Sequence, residues 1–176
     1  FNLTAQSTLV PDVFVMRLNA DGSFAWAGML KQTSVSSGID NASSMAIDAQ
    51  ANIYITGEFR GNTDFDPSAT GTNYIESKNG SDVYVLKLDN AGNFKKVIVI
   101  GKIPTSAGDI GGVGVGVDNL GNIYVAGRLV GTVDFDPSSA TTTLSNTATL
   151  GDYDLFVAKY DSAGNYQWAK AITGTA

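Results

Sequence analysis

Residues 48–67 read DAQANIYITGEFRGNTDFDP, and residues 118–137 read DNLGNIYVAGRLVGTVDFDP. Set against each other 70 residues apart, they share Asn52/Asn122, Tyr54/Tyr124, Gly57/Gly127 and the whole Asp-Phe-Asp-Pro run at 64–67 and 134–137. A second motif occurs three times: DVFVMRLNADGSF from Asp12, DVYVLKLDNAGNF from Asp82 and DLFVAKYDSAGNY from Asp154. Its copies lie 70 and then 72 residues apart. A constant period of this length marks a repeat architecture, in which each unit buries its apolar surface mainly against its neighbours.

Within each copy, short runs of alternating apolar and polar residues are broken by Asp/Asn-x-x-Gly, the pattern of strands joined by tight turns. Val83–Leu88 run into Asp89-Asn90-Ala91-Gly92-Asn93, and Phe94 opens the next apolar run, which ends at Ile100. The leading Asp can accept hydrogen bonds from the turn backbone, and Gly at the fourth place takes the positive φ of a type I turn closed by a bulge. Asp118–Asn122 makes the same turn between Val113–Val117 and Ile123–Ala126, whereas Asp48–Asn52 puts Ala51 where the others have glycine. Each period thus holds two hairpins, with the FDP stretch and a Thr/Ser-rich segment between them. Four strands per repeat is the arithmetic of a β-propeller blade.

No helical periodicity of useful length occurs, which argues against leucine-rich or α-helical repeats. The expected fold is all-β, built of four-stranded antiparallel blades: a half blade over 1–31 and blades over 38–101 and 108–173. Ser44-Met45-Ala46-Ile47 matches Gly114-Val115-Gly116-Val117, small residues alternating with larger ones, as suits an innermost strand where backbones crowd. A phosphate-cradling reading of the same glycines needs a following helix, which the sequence lacks.

Composition removes whole classes of function. With 17 acidic and 11 basic residues the net charge is −6, which repels nucleic acid and anionic lipid surfaces. The chain has no Cys and no His, so disulfides, thiolate chemistry, zinc-finger ligation and imidazole general-base catalysis are all absent. No apolar run approaches the roughly 18 residues of a membrane-spanning helix, so no membrane insertion is expected.

Two lines of sequence resemble a known family. D-x-F/Y-V-x-K/R-L/Y-x-x-x-G-N/S-F/Y, read at Asp154–Tyr166, and G-N-I-Y-V-A-G-x-x-x-G-T-V-D-F-D-P, read at Gly121–Pro137, are similar to the SBBP-type β-propeller repeat. The resemblance covers essentially the whole chain, and its FDP-containing variety implies a secreted or cell-surface protein of the Bacteroidota, often carried as type IX secretion cargo. It implies an extracellular location and names no ligand. A ring needs roughly four to eight blades, and about two and a half are present. Further blades from the protein's own longer chain, or from another chain, are therefore expected to complete it. Phe1-Asn2-Leu3-Thr4 matches the stretch that follows FDP elsewhere, so the chain is expected to begin inside a blade.

The most conspicuous polar group is the repeated FDP run. Alternation along a strand would put Asp64 and Asp66, and likewise Asp134 and Asp136, on one face with the Phe on the other. Two readings stand. The carboxylates hold loop amides while Phe buries between blades and Pro ends the strand, or they contribute to a calcium site, which takes six to eight oxygens.

Subtracting the repeat isolates positions free to meet a partner. Glu58 stands where the next copy has Arg128, Arg60 where it has Val130, and Lys96 where the other copies have Trp26 and Trp168. These are candidate readers of a protein or glycan, against a background of ordinary solvated variation. The two tryptophans stack on sugar in one reading and pack between strands in the other. A polysaccharide-cleaving enzyme would run on a carboxylate pair, with Glu58 and Glu76 the pair to consider, although nothing in their spacing brings them together. The reading favoured is a non-catalytic secreted or cell-surface module, a scaffold or a protein- or glycan-binding surface, with no cofactor unless calcium. A catalytic propeller and a structural spacer of a large adhesin are the alternatives.

Overall fold

The computed structural model describes residues 12–32, 41–102, 109–146 and 153–172. The Phe1-Asn2-Leu3-Thr4 match and the outer limits of the expected segments fall outside them. Every described element is a strand, and every pairing is antiparallel. Strands β1 (Phe14–Leu18) and β2 (Phe24–Met29) form a hairpin, followed by the short β3 (Lys31–Gln32). Strands β4 (Ser44–Ile47), β5 (Ile53–Asp64), β6 (Tyr74–Leu88) and β7 (Phe94–Lys102) then pair in chain order as a four-stranded sheet. The pattern repeats with β8 (Asp109–Val117), β9 (Ile123–Asp134), β11 (Asp154–Tyr160) and β12 (Tyr166–Ile172), while β10 (Thr143–Asn146) pairs with the far end of β9.

The turns fold by one local rule. Oδ1 of Asp48, Asp89, Asp118 and Asp161 each accepts the backbone N–H groups two and four residues on, at 2.8–3.0 Å. Oδ2 of each takes the side-chain amide of the Asn that ends the turn. The turn at Asn19–Ser23 keeps the same backbone bonds but moves the acid to the third place, where Asp21 takes the N–H and hydroxyl of Ser23. The fourth place has φ between 79° and 84° where it is Gly22, Gly92, Gly121 or Gly164. Ala51 holds the same place at φ 61°, in the left-handed region where a side chain is strained.

The core follows from the period-2 alternation of strands. In β6, Val83 and Val85 belong to a cluster with Ile98, Ile100, Val125, Phe135, Phe156, Ala158 and Tyr160, which lies between the two four-stranded sheets. The intervening Tyr84, Leu86 and Leu88 belong to another cluster, with Val13, Val15 and Leu30 of the first hairpin segment. The sheet β4–β7 is thus buried on both faces. Aromatic rings anchor both clusters: Phe59 and Phe65 meet edge to face at 5.0 Å beside Tyr84, and Phe135 meets Phe156 at 5.0 Å one repeat later.

Two features depart from the sequence expectation. The FDP stretch is not a mere connection between hairpins: after a bulge at Arg60/Asn62 the β5–β6 ladder resumes, with Asn62, Thr63 and Asp64 opposite Glu76, Ile75 and Tyr74. The extension also receives the end of the preceding sheet. Lys31 and Gln32 pair with Asp64 and Thr63, and Gly101 and Lys102 pair with Asp134 and Val133, the same joint 70 residues on. Strands β4 and β8 lie at the sheet edges, and the expected crowding holds at only some of their glycines. A Cβ at Gly112 would sit 2.8 Å from Thr56 Oγ1, whereas at Gly114 and Gly116 it would meet nothing within 4 Å.

The turn geometry gives opposite outcomes at equivalent places. Ala51→Gly should stabilise the protein by about 0.5–1 kcal/mol, the left-handed penalty less the freedom glycine adds to the unfolded chain. Gly22→Ala, where a Cβ meets open space at φ 81°, should destabilise by a similar amount. Denaturant titrations of the two variants check both signs.

Candidate functional site

The FDP loops are built from their carboxylates upward. Asp64 ends β5, and its Oδ1 accepts the N–H groups of Asp66 at 3.1 Å and Asn73 at 2.6 Å. Asp66 Oδ1 accepts from Ser68 N–H at 2.9 Å, and Ser68 Oγ accepts from Gly71 N–H at 2.9 Å. The second loop repeats the network: Asp134 Oδ1 takes Asp136 and Thr142 N–H at 3.0 and 2.9 Å, and Asp136 Oδ1 takes Ser138 N–H at 2.9 Å. Phe65 and Phe135 are buried beneath, each donating its N–H to the far side of the loop. Asp66 and Asp136 lie past the strand ends, so the paired carboxylates brace a turn rather than share a strand face. Asp64 is buried, and its Oδ2 has no hydrogen-bond partner. Among the described residues no group of three or more acidic side chains is placed to hold a metal ion.

A groove of about 410 Å³ runs between this rim and the next. Glu76, Lys78 and Asp82 form one wall, Asp136, Pro137 and Ser138 the other, and Val97 and Val99 also line it. Asp82 is buried, and its carboxylate accepts the Lys78 N–H at 2.8 Å. The sequence reading singled out Asp136 and Glu76 separately; it did not bring them to one groove, because the joint that sets adjacent loops side by side leaves no motif.

The other candidates sit elsewhere. Glu58 and Arg128, equivalent positions of successive repeats, meet across the sheet interface at 3.6 Å, and Arg128 also lies over the Tyr153 ring at 4.8 Å. Arg60 is exposed, opposite Ser81 in the ladder. Lys96 is exposed too, but its ammonium donates to the Ala163 carbonyl in the 161–165 turn of the next sheet. Trp26, at the equivalent place, donates its indole N–H to the Asn90 carbonyl at 3.1 Å and covers Gly92. Trp26 therefore packs on a turn, and Trp168 lies beside Tyr124 at 6.4 Å. Glu58 pairs with Val83 and Glu76 with Asn62, so the two carboxylates are four residues apart along β5.

The turn carboxylates are the electrostatically tuned groups. Hydrogen bonds from the Asn93 side chain and backbone hold Asp89 below its ordinary value of 3.8, and those from Asn165 do the same for Asp161. In Asp118 the Asn122 side chain leads and outweighs the opposing desolvation.

No family model matches the sequence, and no curated protein matches it. Among the described residues no helix is long and apolar enough to cross a membrane.

Two outcomes follow from these carboxylates. Because the turn Asp groups are depressed in the folded state, their stabilisation is complete above their unfolded values and is lost as pH falls through the folded ones. The melting midpoint should therefore drop below about pH 4, and Asp89→Asn with Asp161→Asn should flatten that drop. Chelator should leave the midpoint unchanged, since Asp64 and Asp134 already each brace two loop amides; a fall on chelation would restore the calcium reading.

Proposed function

We propose that the chain is a non-catalytic segment of an SBBP-type β-propeller, secreted or displayed at the cell surface, that presents the grooves between successive FDP loops to a protein or glycan. The four-stranded sheets are its blades. The observation that carries this reading is the recurrence of one joint, 31–32 on 63–64 and 101–102 on 133–134, which sets loops of identical hydrogen-bonded frame in series. A constant frame with changing walls is how a rigid scaffold carries recognition. The register puts Ser145 where the preceding repeat has Glu76, so the wall changes its charge while the Asp-braced loop does not.

The groove's chemistry suits a strip of glycan or peptide: acidic and basic side chains on the walls and Val97 and Val99 against them. Catalysis is disfavoured by the separation of its carboxylates. Four residues along a strand span roughly 13 Å, while glycosidase pairs sit about 5–9.5 Å apart, and Glu58 is engaged with Arg128.

Soluble polysaccharides titrated into the protein, with calorimetry and a reducing-end assay run on the same samples, test this reading. We expect saturable binding without release of reducing ends. Ser138→Trp, which fills the groove, should weaken binding at least about tenfold, and Arg60→Ala, outside it, should not. Reducing ends that appear and vanish with Glu76→Gln, or binding indifferent to Ser138→Trp, would contradict the proposal.

A further inference from the structure

We propose that two copies of this chain dock head to tail, the first hairpin of one seating on the last sheet of the other. The inference rests on the reading of the sheets as serially stacked blades, and it adds which face meets which and what locks them.

Interior packing supplies the template. At each described interface, a trailing face of one unit covers a leading face of the next. The trailing face is marked by the cross-strand pair Val83 and Ile100, both fully buried, and the leading face by Tyr84, Leu86 and Leu88, also fully buried. The same positions recur at the two ends of the described structure and are open there. Leu155 and Ile172, which pair as Val83 and Ile100 do, are 56% and 61% exposed. Phe14, Met16 and Leu18, which stand where the middle sheet has Tyr84, Leu86 and Leu88, are 64%, 52% and 49% exposed. One chain therefore carries both halves of an interface that it forms internally. Two such halves on opposite ends make a heterologous contact, in which unlike patches meet.

A side chain from each trailing sheet locks the interior contact. Trp26 lies over the 89–93 turn so closely that a Cβ at Gly92 would come 2.9 Å from its ring, and Lys96 lies as close to Gly164 of the 161–165 turn. Trp168 occupies that place in the last sheet and is 37% exposed. The matching turn is Asn19–Ser23, where a Cβ at Gly22 would meet nothing within 4 Å. Trp168 and Gly22 are thus a lock and its seat on opposite ends of the molecule. In the docked pair the Trp168 indole N–H would donate to the Ala20 carbonyl, as Trp26 does to that of Asn90.

Sedimentation of half-blocked variants tests this. Met16→Glu blocks the leading face and Leu155→Glu the trailing face; both sites are exposed, so both variants should keep the wild-type melting midpoint. The wild type should grow in mass with concentration, each variant should stay monomeric, and their equimolar mixture should form a one-to-one dimer. Trp168→Ala should weaken association at least about tenfold, and Trp168→Lys should restore much of it, as Lys96 serves in the interior. A wild type that stays monomeric up to about millimolar concentration overturns the proposal, and so does a single variant that self-associates, since that would mean like faces meet. Val85→Glu separates the two levels of argument. If it destabilises the fold while the wild type remains monomeric, only the docking fails; if it leaves stability unchanged, the stacked-blade reading fails as well.

Discussion

A strand displays successive side chains to opposite sides, and when both sides are apolar it needs two partners. That constraint governs this protein. In β6, Val83 and Val85 turn to one neighbour while Tyr84, Leu86 and Leu88 turn to the other, and all five are buried. At about 25 cal/mol per Å² of apolar surface removed from water, such a strand gains most of its stabilisation from sheets other than its own. The repeat is therefore a unit of sequence but not a unit of stability, and its neighbours are part of its core.

Smaller contacts keep these sheets in register. The joints at 31–32 and 101–102 carry backbone pairing from one sheet into the next, so a slip between sheets would break hydrogen bonds as well as packing. Trp26 and Lys96 do the same at the opposite end, by capping the turn of the following sheet. Between these ties the FDP loops are held by their own carboxylates. The loop frame is consequently independent of whatever occupies the groove beside it, and wall residues such as Glu76 and Lys78 can change without disturbing the fold.

Much of this was legible in the sequence because it is local. Alternation marked the strands, Asp-x-x-Gly marked the turns, and self-comparison found Ala51 as the exception among glycines, which the structure returns as the one described non-glycine residue at positive φ. What stayed hidden depends on pairing between distant segments. Gly101-Lys102 has no signature of a joint, since its partner lies in the next repeat and backbone bonds need no particular side chain. Glu58 and Arg128 looked like two independent surface variants and are one ion pair, because equivalent positions of adjacent sheets can come face to face. Lys96 looked free to read a ligand for the same reason; its partner is a backbone carbonyl 67 residues away.

Native-state hydrogen exchange tests the central claim, that the sheets share one core, most directly. If each sheet depends on its neighbour, the amides of 83–86, of 156–159 and of the 101–102/133–134 joint should exchange through one common opening whose free energy matches global unfolding. Separate opening energies for the two sheets, with the joint exchanging at the rate of an exposed loop, would contradict it.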